Sequence, residues 1–278
     1  MGRMLSLVTV GVAATAAAAT LLVLGWFARP RRAPYPLYGY AGLAVLVVAE
    51  LLLFRRVEPV ATYFTPIAWT AFWSVPLWLV FEAYNWRLKN WEYVGMPEAL
   101  WEQALGSIWA FATIIPALVE TSDLLAALGW FERATSRGWC VFLRHRRALG
   151  VTGAVFLLLP LAVPVRWAAY LFALVWLGFA FLLEPVNYAR GHDSLFGELE
   201  RDRGQRLYCL FAAGLVCGLL WEFWNYWAAA RWVYVFPMFQ QVKIFEMPLP
   251  GYLGFPAFAV ECFALLNFVR GETRRLRR

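Results

Sequence analysis

The sequence predicts an all-α fold: a polytopic transmembrane helical bundle of about eight spans in two parallel four-span repeats. Three observations predict it. Apolar residues make up 62% of the 278-residue chain and charged residues only 15%, whereas a soluble domain is about half apolar and about one-quarter charged. Apolar runs recur at about 17–25 residues, the length that crosses a bilayer. An aromatic motif bearing Glu and Asn occurs twice, 140 residues apart. A water-soluble fold has too little interior for this much apolar surface. Lipid removes that limit, and the 16 Trp suit the membrane–water boundary, where an apolar ring and an N–H are both accommodated.

Taken in order, the expected spans are 5–27, 36–54, 62–84, 103–121, 148–164, 167–184, 206–227 and 250–269. The first follows Arg3 and ends in a basic turn at Arg29, Arg31 and Arg32. It is longer than the roughly 7–15 residues of a signal-peptide core, so it reads as an uncleaved span. The fifth and sixth are separated only by Pro160, Pro164 and Arg166, which suit a tight helical hairpin because proline ends a helix. The segment from Phe245 to Pro256 contains three Pro and two Gly and reads as an ordered re-entrant or interfacial loop, since irregular backbone at membrane depth lines cavities.

Charge sets the orientation. With eight spans, one side carries 17 basic residues and the other 8. The positive-inside rule then places both termini in the cytoplasm of a plasma or inner membrane. The same loops account for the net charge of +7, so nucleic acid is not an expected partner. Membrane lipid and a lipophilic small molecule are. Cys140, Cys209, Cys217 and Cys262 form no C-x-x-C pair, and His145 and His192 are the only histidines. No metal or cofactor is implied by such spacing. Walker A, G-x-S-x-G, H-E-x-x-H and Rossmann signatures are absent, and no Asp-rich pair is placed to hold Mg²⁺ on a diphosphate.

The repeated motif is aromatic-Glu-x-aromatic-Asn-aromatic, at Phe81–Trp86 and again at Trp221–Tyr226. Trp91-Glu92-Tyr93-Val94 aligns with Trp232-Val233-Tyr234-Val235, Pro97 with Pro237, and Pro116–Glu120 with Pro256–Glu261. Glu58-Pro59-Val60 resembles Glu184-Pro185-Val186. The chain divides accordingly into a first repeat at 1–122, a connecting loop at 123–147, a second repeat at 148–270 and a basic tail at 271–278.

A carboxylate in a bilayer costs about 2.5–3.5 kcal/mol on insertion scales, so Glu50, Glu82, Glu120, Glu184, Glu222 and Glu261 are expected to face the bundle interior. Desolvation favours the protonated carboxyl, which can then act as a general acid. Glu82 and Asn85, like Glu222 and Asn225, are three residues apart and share a helix face. Such polar groups either bond helices together or do chemistry. Trp221, Trp224, Tyr226, Trp227, Trp232 and Tyr234 form either an interface belt or the lining of a site for a flat or polyene ligand.

These residues resemble a family, the membrane-bound lycopene cyclases of the heterodimeric or fused type. Those proteins are built from duplicated multi-span units, each with an Asn-Tyr-centred aromatic segment, a Trp-x-Tyr stretch and a Pro followed by acidic residues. The likeness runs through Asn225-Tyr226, Trp232-Val233-Tyr234 and Pro256–Glu261, and through Asn85, Trp91-Glu92-Tyr93 and Pro116–Glu120. It covers about half of each repeat. Trp224 and Tyr84 stand where the family has Asp, and Glu261 is a single acid where the family has two. The resemblance implies an acid–base enzyme acting on an isoprenoid. Glu222 and Glu261 would be the acid and its partner, Asn225 would orient a carboxyl, and Trp221, Trp224, Tyr226, Trp232 and Tyr234 would line the substrate. Glu82, Asn85 and Glu120 would be the matching set. A proton-coupled transporter, a lipid-binding protein and a non-catalytic membrane component remain alternatives.

Overall fold

The computed structural model describes residues 60–277, with side chains from residue 66. The expected spans at 5–27 and 36–54, and Glu50, lie outside them. The six remaining expected spans all fall on helices: α1 (Val60–Leu88), α2 (Leu100–Ala127), α3 (Arg146–Ala162), α4 (Phe172–Ala189), α5 (Gln205–Trp227) and α6 (Gly254–Leu276). Among the described residues, four stretches are long and apolar enough to cross a membrane: Leu100–Ala127, Val165–Ala189, Gln205–Trp227 and Leu249–Leu276. The protein is a mostly helical, membrane-embedded bundle.

The connections follow local chemistry. Pro164 cannot continue α3, and the chain restarts through Val165–Ala168 and a 3-10 turn, Ala169–Leu171, into α4. Ser194 caps the short helix Leu195–Glu200, its Oγ accepting from Gly197 N–H at 3.1 Å. The Pro-rich segment before α6 is ordered. Strands at Lys243–Ile244 and Met247–Pro248 pair, and the Tyr252 hydroxyl donates to Ile244 O at 2.9 Å.

α6 is the most enclosed helix and packs on α2, α4 and α5. Between helices in lipid there is no hydrophobic drive, so close packing and hydrogen bonds must supply cohesion. Gly214 supplies one close approach. A Cβ there would run into the Phe255 carbonyl oxygen, so α5 and α6 meet backbone to backbone. Ser74 supplies a polar tie: its Oγ donates to Phe111 O at 2.5 Å and accepts from Ile115 N–H at 3.1 Å. One hydroxyl of α1 is thus inserted into the backbone ladder of α2, one residue before Pro116. The Asn187 amide donates to Ala264 O at 2.9 Å and joins α4 to α6.

Phe258 on α6 is the centre of the packing. Its ring meets Trp78, Phe81, Trp176 and Trp221 edge-on, at centroid distances of 5.7, 5.5, 4.9 and 6.4 Å. Those four rings come from α1, α4 and α5, so one side chain touches three other helices. Edge-to-face pairs contribute about 0.5–1.5 kcal/mol each beyond burial. Phe258→Ala is expected to lower unfolding stability by about 3–5 kcal/mol, and Phe258→Leu by less; tryptophan-fluorescence thermal unfolding in detergent measures both.

Candidate functional site

The candidate site forms where α1 and α5 end. Each helix is followed by a short extended strand, β1 (Trp91–Val94) after α1 and β2 (Arg231–Tyr234) after α5. The strands pair antiparallel with Trp91 opposite Tyr234, Glu92 opposite Val233, Tyr93 opposite Trp232 and Val94 opposite Arg231. Side chains alternate along a strand. Trp91, Tyr93, Trp232 and Tyr234 therefore share one face of the ribbon, and Glu92, Val94, Arg231 and Val233 the other.

The two asparagines set this ribbon. Asn225 Oδ1 accepts from Trp232 N–H at 2.9 Å and its amide donates to Trp232 O at 2.8 Å. Asn85 does the same for Trp91, accepting at 3.0 Å and donating at 2.9 Å, and also accepts from Asn90 N–H at 2.8 Å. Asn225, expected to orient a carboxyl, has its side-chain amide bonded to the Trp232 backbone. The side chain is spent on backbone, because a strand at the end of a membrane bundle must have its polar groups bonded. The effect on the carboxyl is indirect, through the strand the clamp holds.

That strand delivers a phenol to each glutamate. The Tyr234 hydroxyl donates to Glu222 Oε1 at 2.7 Å, and Trp232 Nε1–H reaches both Glu222 Oε1 at 3.3 Å and the Tyr234 hydroxyl at 3.0 Å. The Tyr93 hydroxyl donates to Glu82 Oε1 at 2.5 Å, and Trp78 Nε1–H to the same oxygen at 2.9 Å. Glu222 is wholly buried, and no hydrogen bond of standard geometry reaches its Oε2. Glu82 is half-buried. Enclosure of the hydroxyl, then the Glu82 carboxylate, hold the Tyr93 phenol well above the usual range. Burial, then the Glu222 carboxylate, do the same for Tyr234.

The two centres draw their indole donors from different places, Trp78 on the same helix as Glu82 and Trp232 on the strand facing Glu222. Trp78 precedes Glu82 by one helical turn, and Gly218 holds the corresponding place before Glu222. The Phe255 ring occupies the space beside Gly218. The second carboxyl thus has an apolar ring one turn before it and takes its indole donor from β2 instead of from its own helix.

The other expected site residues are dispersed. Glu261 is fully buried and its Oε1 accepts from Phe179 N–H of α4 at 2.8 Å. No hydrogen bond joins it to Glu222 among the described residues. Glu120 is half-buried on α2. Trp221 packs on Phe255 and Phe258. Trp224 is half-buried, while Tyr226 is exposed and lies against Trp227 and Phe245. Six catalytic candidates thus resolve into two Glu–Tyr centres on the ribbon and two carboxyls elsewhere. Tyr93 and Trp78 were not among the expected site residues. Tyr93 was signalled by the repeated Trp-x-Tyr, and Trp78 by its place four residues before Glu82 on one helix face.

Set against known proteins, the chain matches no family model, no curated protein and no solved structure.

Two outcomes follow from this geometry. Asn225→Leu leaves the Trp232 N–H and C=O without their side-chain partners and is expected to cost about 2–6 kcal/mol, at about 1–3 kcal/mol per orphaned group; faster hydrogen exchange at the Trp232 amide reports it. The phenols give a pH dependence. A folded pKa raised above the unfolded value of about 10 stabilises the fold fully below that pH, and the contribution is lost as pH rises toward the folded value. Unfolding midpoints are expected to fall above about pH 10, and Tyr93→Phe or Tyr234→Phe to flatten that fall.

Proposed function

We propose that this protein is a polytopic membrane enzyme that moves protons on a lipophilic isoprenoid or polyene substrate, with Glu222 as the acid. The observation that carries the reading is the Glu222 carboxyl. It is buried away from water, with Oε1 held by Tyr234 and Trp232 and the Met247 backbone also close to the carboxyl. An intramembrane carboxyl is costly to place, and Glu222 has no cation within ion-pair distance among the described residues, so a functional role is the default reading for it. In the proposed step, Glu222 transfers its proton to a substrate C=C bond, forming one C–H bond and a carbocation. Aromatic faces stabilise that cation. A neighbouring C–H bond then breaks, its electron pair forms the new double bond, and its proton passes to a carboxylate. The sum is an isomerisation or cyclisation without redox change or cofactor. Glu82, with Tyr93, is the proposed partner in place of Glu261. Tyr93 stands directly across the ribbon from Trp232, which touches Glu222.

The reading includes eight spans in two parallel four-span copies. The ribbon register supports it. Trp91 and Trp232, like Tyr93 and Tyr234, are 141 residues apart, and Trp91 pairs with Tyr234 as Tyr93 pairs with Trp232. A self-complementary pairing of this kind is what a two-fold relation between copies produces. The repeated Asn clamp and Glu–Tyr bond support it too. For orientation, the loops joining α2 to α3 and α4 to α5, the first turns of α3 and α5, and the end of α6 with its tail hold 14 of the 23 Arg. That favours a cytoplasmic location for this end and for both termini. The cyclase resemblance belongs to this proposal as its most specific version.

Expression in a cell that accumulates lycopene tests that version, with product read by chromatography. A new cyclised pigment is expected, reduced about 100-fold or more by Glu222→Gln on the scale of general acid catalysis. Unchanged pigment with the parent protein present in the membrane removes the cyclase version. A Glu222→Gln protein that loses stability alone, with product formation kept, favours the structural reading.

A further inference from the structure

At the opposite end of the bundle, α4 and α6 enclose a cavity of about 440 Å³. Its wall on α6 carries Asn267, Arg270 and Arg274, at the spacing of one helix face. Arg275 joins them from the next position, and Arg190 and His192 line the other side. The chain reaches this place by a local device. Gly191, in the left-handed conformation at φ +70°, closes α4, with Gly191 N–H donating to Tyr188 O at 3.2 Å and His192 N–H to Asn187 O at 2.9 Å. The turn lays the His192 ring on Gly271, where a Cβ would collide with it.

Basic groups outnumber acidic ones in this cavity, although Asp193 and Asp123 lie near enough to act on Arg270. Glu272 pairs with Arg190 at 2.5 Å, with Arg275 at 4.0 Å and with the His192 ring at 3.6 Å. Asp193 is the acidic residue that lines the cavity. Arg270 lies over the Trp69 ring at 5.4 Å. Neither Arg270 nor Arg274 has a carboxylate partner within ion-pair distance among the described residues. The second observation is Asn267. It is 4% exposed, it lines the cavity, and its amide nitrogen has no hydrogen-bond partner. A buried N–H left without an acceptor is destabilising. Together they describe a donor-rich hollow that lacks its acceptor.

We infer that this cavity binds a phosphate group, with Arg270 and Arg274 neutralising it and the Asn267 amide donating to one of its oxygens. Guanidinium groups match phosphate oxygens in a bidentate fork. The cavity lies where the spans end, at the level where phospholipid headgroups meet a membrane protein, and basic pockets between spans take such groups. The inference stands apart from the proposed chemistry at the ribbon.

The test uses the full chain purified in a neutral detergent. Phosphatidylglycerol, phosphatidylcholine and inorganic phosphate are titrated separately. Binding is read by native mass spectrometry and by the shift in thermal unfolding. A lipid source predicts a one-to-one adduct and an upward shift with phosphatidylglycerol and none with inorganic phosphate. A free-phosphate source predicts the shift with inorganic phosphate. In either case the Arg270→Gln, Arg274→Gln pair is expected to weaken binding about tenfold or more, since a charged hydrogen bond contributes about 1.5–3 kcal/mol. Arg203→Gln, outside the cavity, is expected to leave it unchanged. Asn267→Leu keeps a similar volume and removes the orphaned donor. Its unliganded stability is expected to hold or rise while binding falls. No shift with phosphatidylglycerol or phosphate overturns the inference, as does an unaltered affinity in the double variant.

Discussion

Asn85 and Asn225 each bond both backbone polar groups of one tryptophan, and the arrangement at that end of the bundle depends on it. A strand just outside a helix terminus has donors and acceptors that water would otherwise satisfy. Fixing Trp91 and Trp232 fixes where β1 and β2 begin. The ribbon register follows, and with it the reach of Tyr93 to Glu82 and of Tyr234 to Glu222. The side chains with the least obvious chemistry thus position those with the most.

Packing gives that end a rigid floor. Phe258 sits among rings from α1, α4 and α5, and Trp78 belongs both to this cluster and to the Glu82 centre. Close aromatic contacts resist compression, so a displacement of α6 would be felt at the first carboxyl. At the second, the Phe255 ring fills the space beside Gly218, and the indole donor to Glu222 comes from Trp232 on the strand. Two similar sequence motifs thereby acquire different electrostatic surroundings.

The polar interior groups divide by what they bind. Glu261 and Asn187 tie α4 to α6 through backbone atoms, as Ser74 ties α1 to α2. These are cohesive bonds in a medium where helices gain little from excluding water. Glu222 and Glu82 instead meet side-chain hydroxyl and indole groups at the surface-facing end of their helices. Asn267, with its amide unbonded, belongs to neither group.

The helices were legible from residue order, because a bilayer demands long apolar runs and those runs carry boundaries in Pro164 and the Arg clusters, whereas Pro160 lies inside α3. All six expected spans within the described residues lie on helices. The Glu-x-x-Asn spacing was legible as a shared helix face, and the Trp-x-Tyr recurrence as a pattern without an assigned task. Sequence by itself determined which polar residues would be costly in lipid. Only the tertiary structure decided how each cost is met. Asn225 turned to backbone, Glu261 to α4 and Glu222 to Tyr234. The physical reason is that a hydrogen bond depends on which donor lies within about 3 Å. For Glu261 that donor is 82 residues away in the chain, where no local periodicity can point to it.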